Sequence, residues 1–269
     1  MKLFDCTLYY DEDLILETRL NILDKYFDKF IICEAKYTHS GREKKLNFNI
    51  NKFSQFKDKI IYLVDDREPE GIIYENNDGK KIENPKNWRA NAVKRIAKQR
   101  NKLLESINKL ADENDFIFYS DNDEIPNMEE FNKTKENSNI IIFEQKLFYY
   151  KFNLFYDKIF WYGTRAVKKK NLIDFEWLRQ IKPKKYRFFR LDTLFKKNKY
   201  TNLKIIKNGG WHFTRVLTPE EIHVKELDAE HHDEYRASNK NPNKIRDLIK
   251  KRMIDHDHFA DTKQSKYRK

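Results

Sequence analysis

Apolar residues along this chain recur in two rhythms, and the order of those rhythms predicts a fold class. Leu3 to Leu8 is a short, largely apolar run. An acidic opening follows (Asp11, Glu12, Asp13), and then Leu16, Leu20, Leu23 and Phe27 recur at helical spacing. "KFIICEA" reads as a second buried strand, and "DKIIYLVDD" as a third that also ends in acids. Strand, helix and strand at these intervals predict a βαβ unit with parallel strands.

Residues 66 to 87 carry Pro69, Gly71, Gly79 and Pro85 among many polar positions and read as a long surface loop. Helix resumes from about Asn91, where Val93, Ile96, Arg100, Leu103, Leu104, Ile107 and Leu110 share one face. Arg100 is the one charge in that stripe. A guanidinium on a buried face needs an anion, unless its stem packs flat and its head reaches solvent. "DFIFYS" is a fourth strand. "NIIIFEQKLFYYKFNLFY" and "KIFWYGTRAV" read as two aromatic-rich, antiparallel strands, "LIDFEWLRQI" as a short helix, "YRFFRLDTLF" as a strand, and "NGGWHFT" as a turn entering a strand. Thr218, Pro219 and Glu221 form a helix-start signature, so the polar remainder is expected to be helical.

Composition narrows the picture. At 269 residues the chain is long enough to bury a sizeable core, and we expect a single domain over residues 1–269. Aromatics at 14% supply core material despite 36% charged residues. The formal charge of +12 suits a polyanionic partner, although Lys and Asn are enriched throughout, as drift in composition alone would produce. Cys6 and Cys33, the two cysteines, lie in apolar runs and read as reduced core residues. Neither a secretory leader nor an apolar run of about 18 residues is visible, so a cytoplasmic location is expected.

The candidate chemistry lies in "FIFYSDNDEIP", residues 116 to 126. In open α/β sheets ligands bind beyond the carboxyl ends of parallel strands, and here such an end carries Asp121, Asp123 and Glu124. Clustered carboxylates repel unless a cation lies among them, which implies Mg²⁺ or Mn²⁺. The alternative is a solvated acidic turn capping the next helix. An EF-hand loop fails because Pro126 stands where glycine is needed. A phosphatase with an aspartyl nucleophile stays open, although it usually has Thr or Val where Ile125 stands. A metal between two carboxylates could bridge a nucleotide diphosphate, with Arg100 as a further cation.

Four stretches, "YTHSGREKKLNF" (37–48), "QRN" (99–101), "SDNDEIP" (120–126) and "GGWHFTRVLTPEEIHVKEL" (209–227), together resemble glycosyltransferase family 17, typified by β-1,4-mannosyl-glycoprotein β-1,4-N-acetylglucosaminyltransferases. The resemblance implies an α/β GT-A-type, Rossmann-like fold with a mixed, mainly parallel central sheet flanked by helices. It implies an inverting transfer from a nucleotide sugar, UDP-linked, to a glycan hydroxyl. By this analogy Asp121 and Asp123 hold the metal and the donor diphosphate, and His212 approaches the same metal. Thr7, Glu34, Arg100 and Asn101 fall where the nucleoside is held. For the base, "LIDFEWLRQ" offers Asp174 and Glu176, with Glu144 a third candidate. The match departs after "GWH", where this chain reads "FTRV" and the animal members are Cys-rich.

The expected division is a nucleotide-sugar half (1–126), an acceptor-side half (127–217) and a basic helical extension (218–269). From Lys244 onward nine basic residues face four acidic ones, with Ile245, Leu248, Ile249 and Met253 on one side. That tail is a candidate for peripheral contact with an anionic membrane. His223, His231 and His232 lie among acids but lack a clean i, i+4 pair and read as a solvated helix. No nucleic acid partner is expected. Two other classes compete with transfer: a basic binding protein without catalysis, resting on the charge alone, and the phosphatase.

Overall fold

The computed structural model describes residues 1–77, 80–134, 140–184 and 202–255. The anticipated "YRFFRLDTLF" strand lies outside those residues. Strand β1 (Leu3–Tyr9) is central, flanked in parallel by β2 (Lys29–Ala35) and β6 (Phe116–Ser120). β3 (Ile60–Asp65) continues the parallel half beyond β2. The connection from β1 to β2 is helix α1 (Asp13–Leu23), so the expected βαβ unit is present. Phe27 lies past the end of α1 yet is buried.

Beyond β6 the sheet turns mixed. β9 (Phe155–Lys168) pairs antiparallel with both β6 and β8 (Ile140–Tyr149), as the aromatic-rich segments predicted. Along the other edge of β8 run two strands in tandem. β10 (Leu203–Ile206) covers Ile140–Phe143, and β11 (Gly210–Thr214) covers Lys146–Tyr149. The short β7 (Glu124–Pro126) closes the order β3-β2-β1-β6-β9-β8-β11-β7. Five of these pairings are parallel and three antiparallel, so the sheet is mixed and mainly parallel. Gly210 has φ +124°, and a Cβ there would press into the β7 backbone, 2.8 Å from Asn127 N and 3.0 Å from Pro126 C. "GGW" is the sequence trace of that close crossing.

Period-two strands divide their side chains between two cores. Phe30, Ile32, Phe116, Phe118, Ile141 and Phe143 face one side, covered by Leu16, Leu20 and Leu23 of α1 and by Met128 and Phe131 of α4 (Met128–Thr134). Ile31, Cys33, Ile117, Tyr119, Ile140 and Ile142 face the other. There they meet Leu103, Ile107 of α3 (Leu104–Leu110), and Phe175, Trp177 and Leu178 from α5 (Phe175–Gln180). Phe118 is fully buried, edge-on to Phe27 at 4.9 Å and Phe131 at 5.0 Å, and truncation to Ala would cost about 3–5 kcal/mol. Both cysteines are buried and unbridged.

The structure revises the long helical stripe. α2 (Trp88–Lys102) ends in a tightened turn at Leu103, whose N–H reaches Arg100 O, and α3 begins afresh. Val93 of α2 and Leu110 of α3, both read as core-facing, are exposed, because α2 buries the face carrying Ala92, Arg95, Ile96 and Gln99 instead. The 66–87 stretch is also less irregular than expected, because β4 (Glu75–Asn77) and β5 (Lys80–Ile82) pair as a small separate sheet.

Past β11 the chain is helical, as expected: α6 (Pro219–Asp228), α7 (His232–Ala237) and α8 (Pro242–Lys251). Thr218 and Glu221 form the reciprocal capping box at the start of α6. α8 turns Ile245 inward against a third core with Leu147, Tyr149 and Ile222. Here the reading of His223, His231 and His232 as a solvated helix is corrected at His232. His232 is buried with its ring 5.5 Å from Trp88, and its Nδ1 lies 3.0 Å from Ala229 O. No described helix is long and apolar enough to cross a membrane.

Candidate active site

β6 ends at Ser120, and the chain turns at once. Glu124 N–H donates to Asp121 O at 3.0 Å, and the Glu124 carboxylate accepts the Asp121 N–H at 3.0 Å. From that turn β7 pairs antiparallel with β11, placing His212 opposite Glu124, while Phe213 N–H donates to Asp123 O at 2.8 Å. This register brings His212 Nε2 to 3.4 Å from Asp123 Oδ2. Trp161 of β9 lies against the imidazole, centroids 4.8 Å apart, and its Nε1 donates to Glu124 Oε1 at 2.6 Å.

These residues open onto a cavity of about 660 Å³. Its other walls are the end of β1 (Tyr9, Tyr10), the segment Tyr37–His39, Gln99 and Arg100 of α2, and Arg179 of α5. α6 and the turn after it close the cavity with Lys225, Asp228, Glu230 and His231.

Charge is distributed here in pairs. Arg179 donates to Asp121 Oδ2 at 2.6 Å and also to both Glu124 oxygens, at 3.0 and 3.1 Å. Arg100, whose stem is buried, donates to Glu176 at 2.7 Å and to Tyr119 OH at 3.0 Å, so its head meets an anion instead of reaching solvent. Lys225 pairs with Glu12. Arg42, Tyr10 and Ser40 converge on Asp228.

Burial alone would raise the Asp121 carboxyl, but Arg179 and Arg100 outweigh it and hold the group well below the usual carboxylate range. Asp123 is also lowered, because His212 outweighs its burial. The imidazole of His212 is raised in return: burial opposes its charge, and Asp123 overcomes the penalty. Burial lowers His39, whose Nε2 lies 3.1 Å from Gln99 Oε1.

Several buried polar atoms here have no protein partner among the described residues. They are both amide atoms of Asn122, the Nδ1 of His212 and Oδ1 of Asp11. An orphaned amide between two acids in a cavity wall fits a ligand group that would satisfy it.

Of the residues nominated from sequence, the structure gathers Asp121, Asp123, His212 and Arg100 around the cavity. The others stand outside its lining. Glu34 is fully buried and accepts from Lys44, the N–H groups of Asn47 and Phe48, and Tyr62, which pins the 44–48 segment. Thr7 is buried in β1, and Asn101 Oδ1 accepts the N–H groups of Phe175 and Glu176, anchoring the start of α5. Asp174 caps α5 by accepting from Trp177 N–H at 2.7 Å. Glu176 is engaged by Arg100 and Gln180, and Glu144 by Tyr162. Sequence reasoning did not single out Arg179, Trp161, Lys225 or Glu230. One signal was available: Glu221, Lys225 and Asp228 fall at i, i+4 and i+7 on one face of the helix that the capping box announces.

Among the described residues no three His, Cys, Asp or Glu side chains cluster as a ready-made metal site. Asp123 and His212 nevertheless fit as a two-ligand set, since a divalent ion at a phosphate site commonly takes one or two side chains and completes its shell with phosphate oxygens and water. A carboxylate with an imidazole suits Mn²⁺ better than the harder Mg²⁺.

Comparison with known proteins identifies the family. A search of curated proteins finds no match. Among solved structures, one described as a glucose-1-phosphate thymidylyltransferase from Bacillus anthracis, in complex with a sucrose, matches at 12% identity and a TM-score of 0.34, over 77% of this chain and 87% of that one. At those values it speaks to neither activity nor ligand. The family model for glycosyltransferase family 17 matches residues 1–255, nearly the whole chain including every residue around the cavity. The chain therefore belongs to glycosyltransferase family 17 and is a glycosyltransferase.

Proposed function

We infer that the chain is a metal-dependent, inverting glycosyltransferase of the GT-A type. It moves a sugar, N-acetylglucosamine in the first instance, from a UDP-linked donor to a glycan hydroxyl. The observation that carries this reading is the cavity at the strand ends, where the Asp123–His212 pair shares a wall with Arg100, Arg179 and Lys225. Three cations, each already paired with a carboxylate, stand beside the two-ligand metal set where a diphosphate would exchange for or share those pairings. Asp123 and His212 would hold the ion, which when bound would neutralise charge on the departing diphosphate. The protein's own part is to orient the donor through Arg100 and Lys225, to offer the Asn122 amide to a polar ligand atom, and to shield the reacting carbon from water beneath the α6 wall. Unbridged cysteines are consistent with a reducing, cytoplasmic setting.

The rival readings lose ground. A phosphatase needs Asp121 free to attack, and Arg179 occupies it. A purely basic binding protein has no use for a cavity with paired acids. Calorimetry of UDP with and without Mn²⁺ tests the proposal. We expect Mn²⁺-dependent binding that Asp123→Ala lowers by about tenfold or more, which corresponds to roughly 1.4 kcal/mol. Binding indifferent to both the metal and Asp123 would refute it.

A further inference from the structure

Five carboxylates line the cavity: Glu12, Asp121, Asp123, Asp228 and Glu230. The first four are committed to Lys225, Arg179, His212 and Arg42 respectively. Glu230 has no hydrogen-bond or ion-pair partner among the described residues. An acceptor hydroxyl entering this cavity would find one carboxylate free to take its proton. Glu230 lines the same cavity as His39 and the strand-end acids Asp121 and Asp123.

The residues on both sides of Glu230 are held by hydrogen bonds to other elements. On one side Asp228 is gripped by Arg42, Tyr10 and Ser40, and its carbonyl accepts Ser40 N–H at 3.2 Å. On the other side Arg89 of α2 contacts His231 and donates to Asp233 at 2.6 Å, while His232 N–H donates to Ala229 O at 3.2 Å. Glu230 is thus a free side chain on a clamped backbone. That is the arrangement a general base requires, with position set by the scaffold and oxygens left for the substrate.

We propose that Glu230 is the general base of the transfer. Its carboxylate takes the proton from the acceptor hydroxyl as that oxygen forms its bond to the anomeric carbon from the side opposite the diphosphate. The bond from that carbon to the diphosphate oxygen breaks, and its electron pair leaves with the nucleotide. The proton stays on Glu230 until it passes to solvent. The inference rests on the glycosyltransferase reading of the cavity and refines it.

The test compares wild type, Glu230→Gln and Glu230→Asp. Nucleotide release from UDP-N-acetylglucosamine with Mn²⁺ is followed in water and with methyl glycosides as acceptors, and UDP–Mn²⁺ binding is measured by calorimetry. Glu230→Gln is expected to lower kcat by about 10²–10⁴-fold while UDP binding stays within twofold of wild type, and Glu230→Asp should recover part of the rate. Turnover of Glu230→Gln within threefold of wild type, with wild-type binding, overturns the inference and leaves the proposed function standing. Parallel loss of binding and turnover in both variants also overturns it, because the residue would then be structural. A wild type that neither binds UDP–Mn²⁺ nor turns over any sugar nucleotide removes both proposals.

Discussion

Arg179 Nη2 lies 2.6 Å from Asp121 Oδ2 and 3.0 Å from Glu124 Oε1, so one guanidinium on α5 locks the acid turn at the end of β6. Glu124 is fully buried, and removing its cation leaves a charge with no equal replacement. Losing one partner of such a pair costs about 3–5 kcal/mol. Arg179→Gln should therefore lower the melting temperature by on the order of 10 °C and weaken UDP binding as the turn relaxes. A variant as stable as wild type would show that the pair contributes little.

Asn122 should behave in the opposite sense. Its amide is buried without a partner among the described residues, so Asn122→Ala sheds an unsatisfied group and the melting temperature should hold or rise. If a ligand normally satisfies that amide, UDP affinity should fall by about tenfold. Loss of stability with unchanged affinity would reverse the assignment.

Asp11 gives a pH signature. Burial, with Glu12 beside it, pushes its carboxyl up to about 6, and Oδ1 lacks a partner among the described residues. The folded value lies above the unfolded one, so the contribution to stability is present in acid and is lost as pH rises through about 6. Asp11→Asn should remove that loss, raising the melting temperature by on the order of 1–3 °C at pH 8 and by less at pH 4.5. An equal gain at both pH values would mean that the effect is not this titration.

Gly163 of β9 is needed for space. A Cβ there would lie 2.7 Å from Glu124 Cδ and would also run into the Gln145 amide. Glu124 cannot retreat, since Trp161, Arg179 and the Asp121 N–H all hold it. Gly163→Ala should cost about 1–3 kcal/mol by overpacking and displace the turn that carries Asp121 and Asp123. Unfolding and UDP calorimetry together would register both effects, and wild-type values in each would rule out the steric argument.

Much of this site was legible in the linear text because its signals are local. The period-two runs of β1, β2, β3 and β6, the Thr218–Glu221 cap and the acids after "FIFYS" each depend on neighbours a few residues away, where backbone geometry dictates side-chain direction. The sequence therefore determined the α/β class, the strand end that carries the acids, and the family. Only the tertiary structure decided which carboxylates are already spoken for. Glu34 looked like a ligand at a strand end and proved to anchor the 44–48 segment, whereas Glu230, in a polar turn between helices, lines the cavity with no partner among the described residues. The physical reason is that a carboxylate's role depends on the charges and donors that reach it through space, and Lys44, Arg179, Lys225 and Arg42 arrive from other elements of the fold.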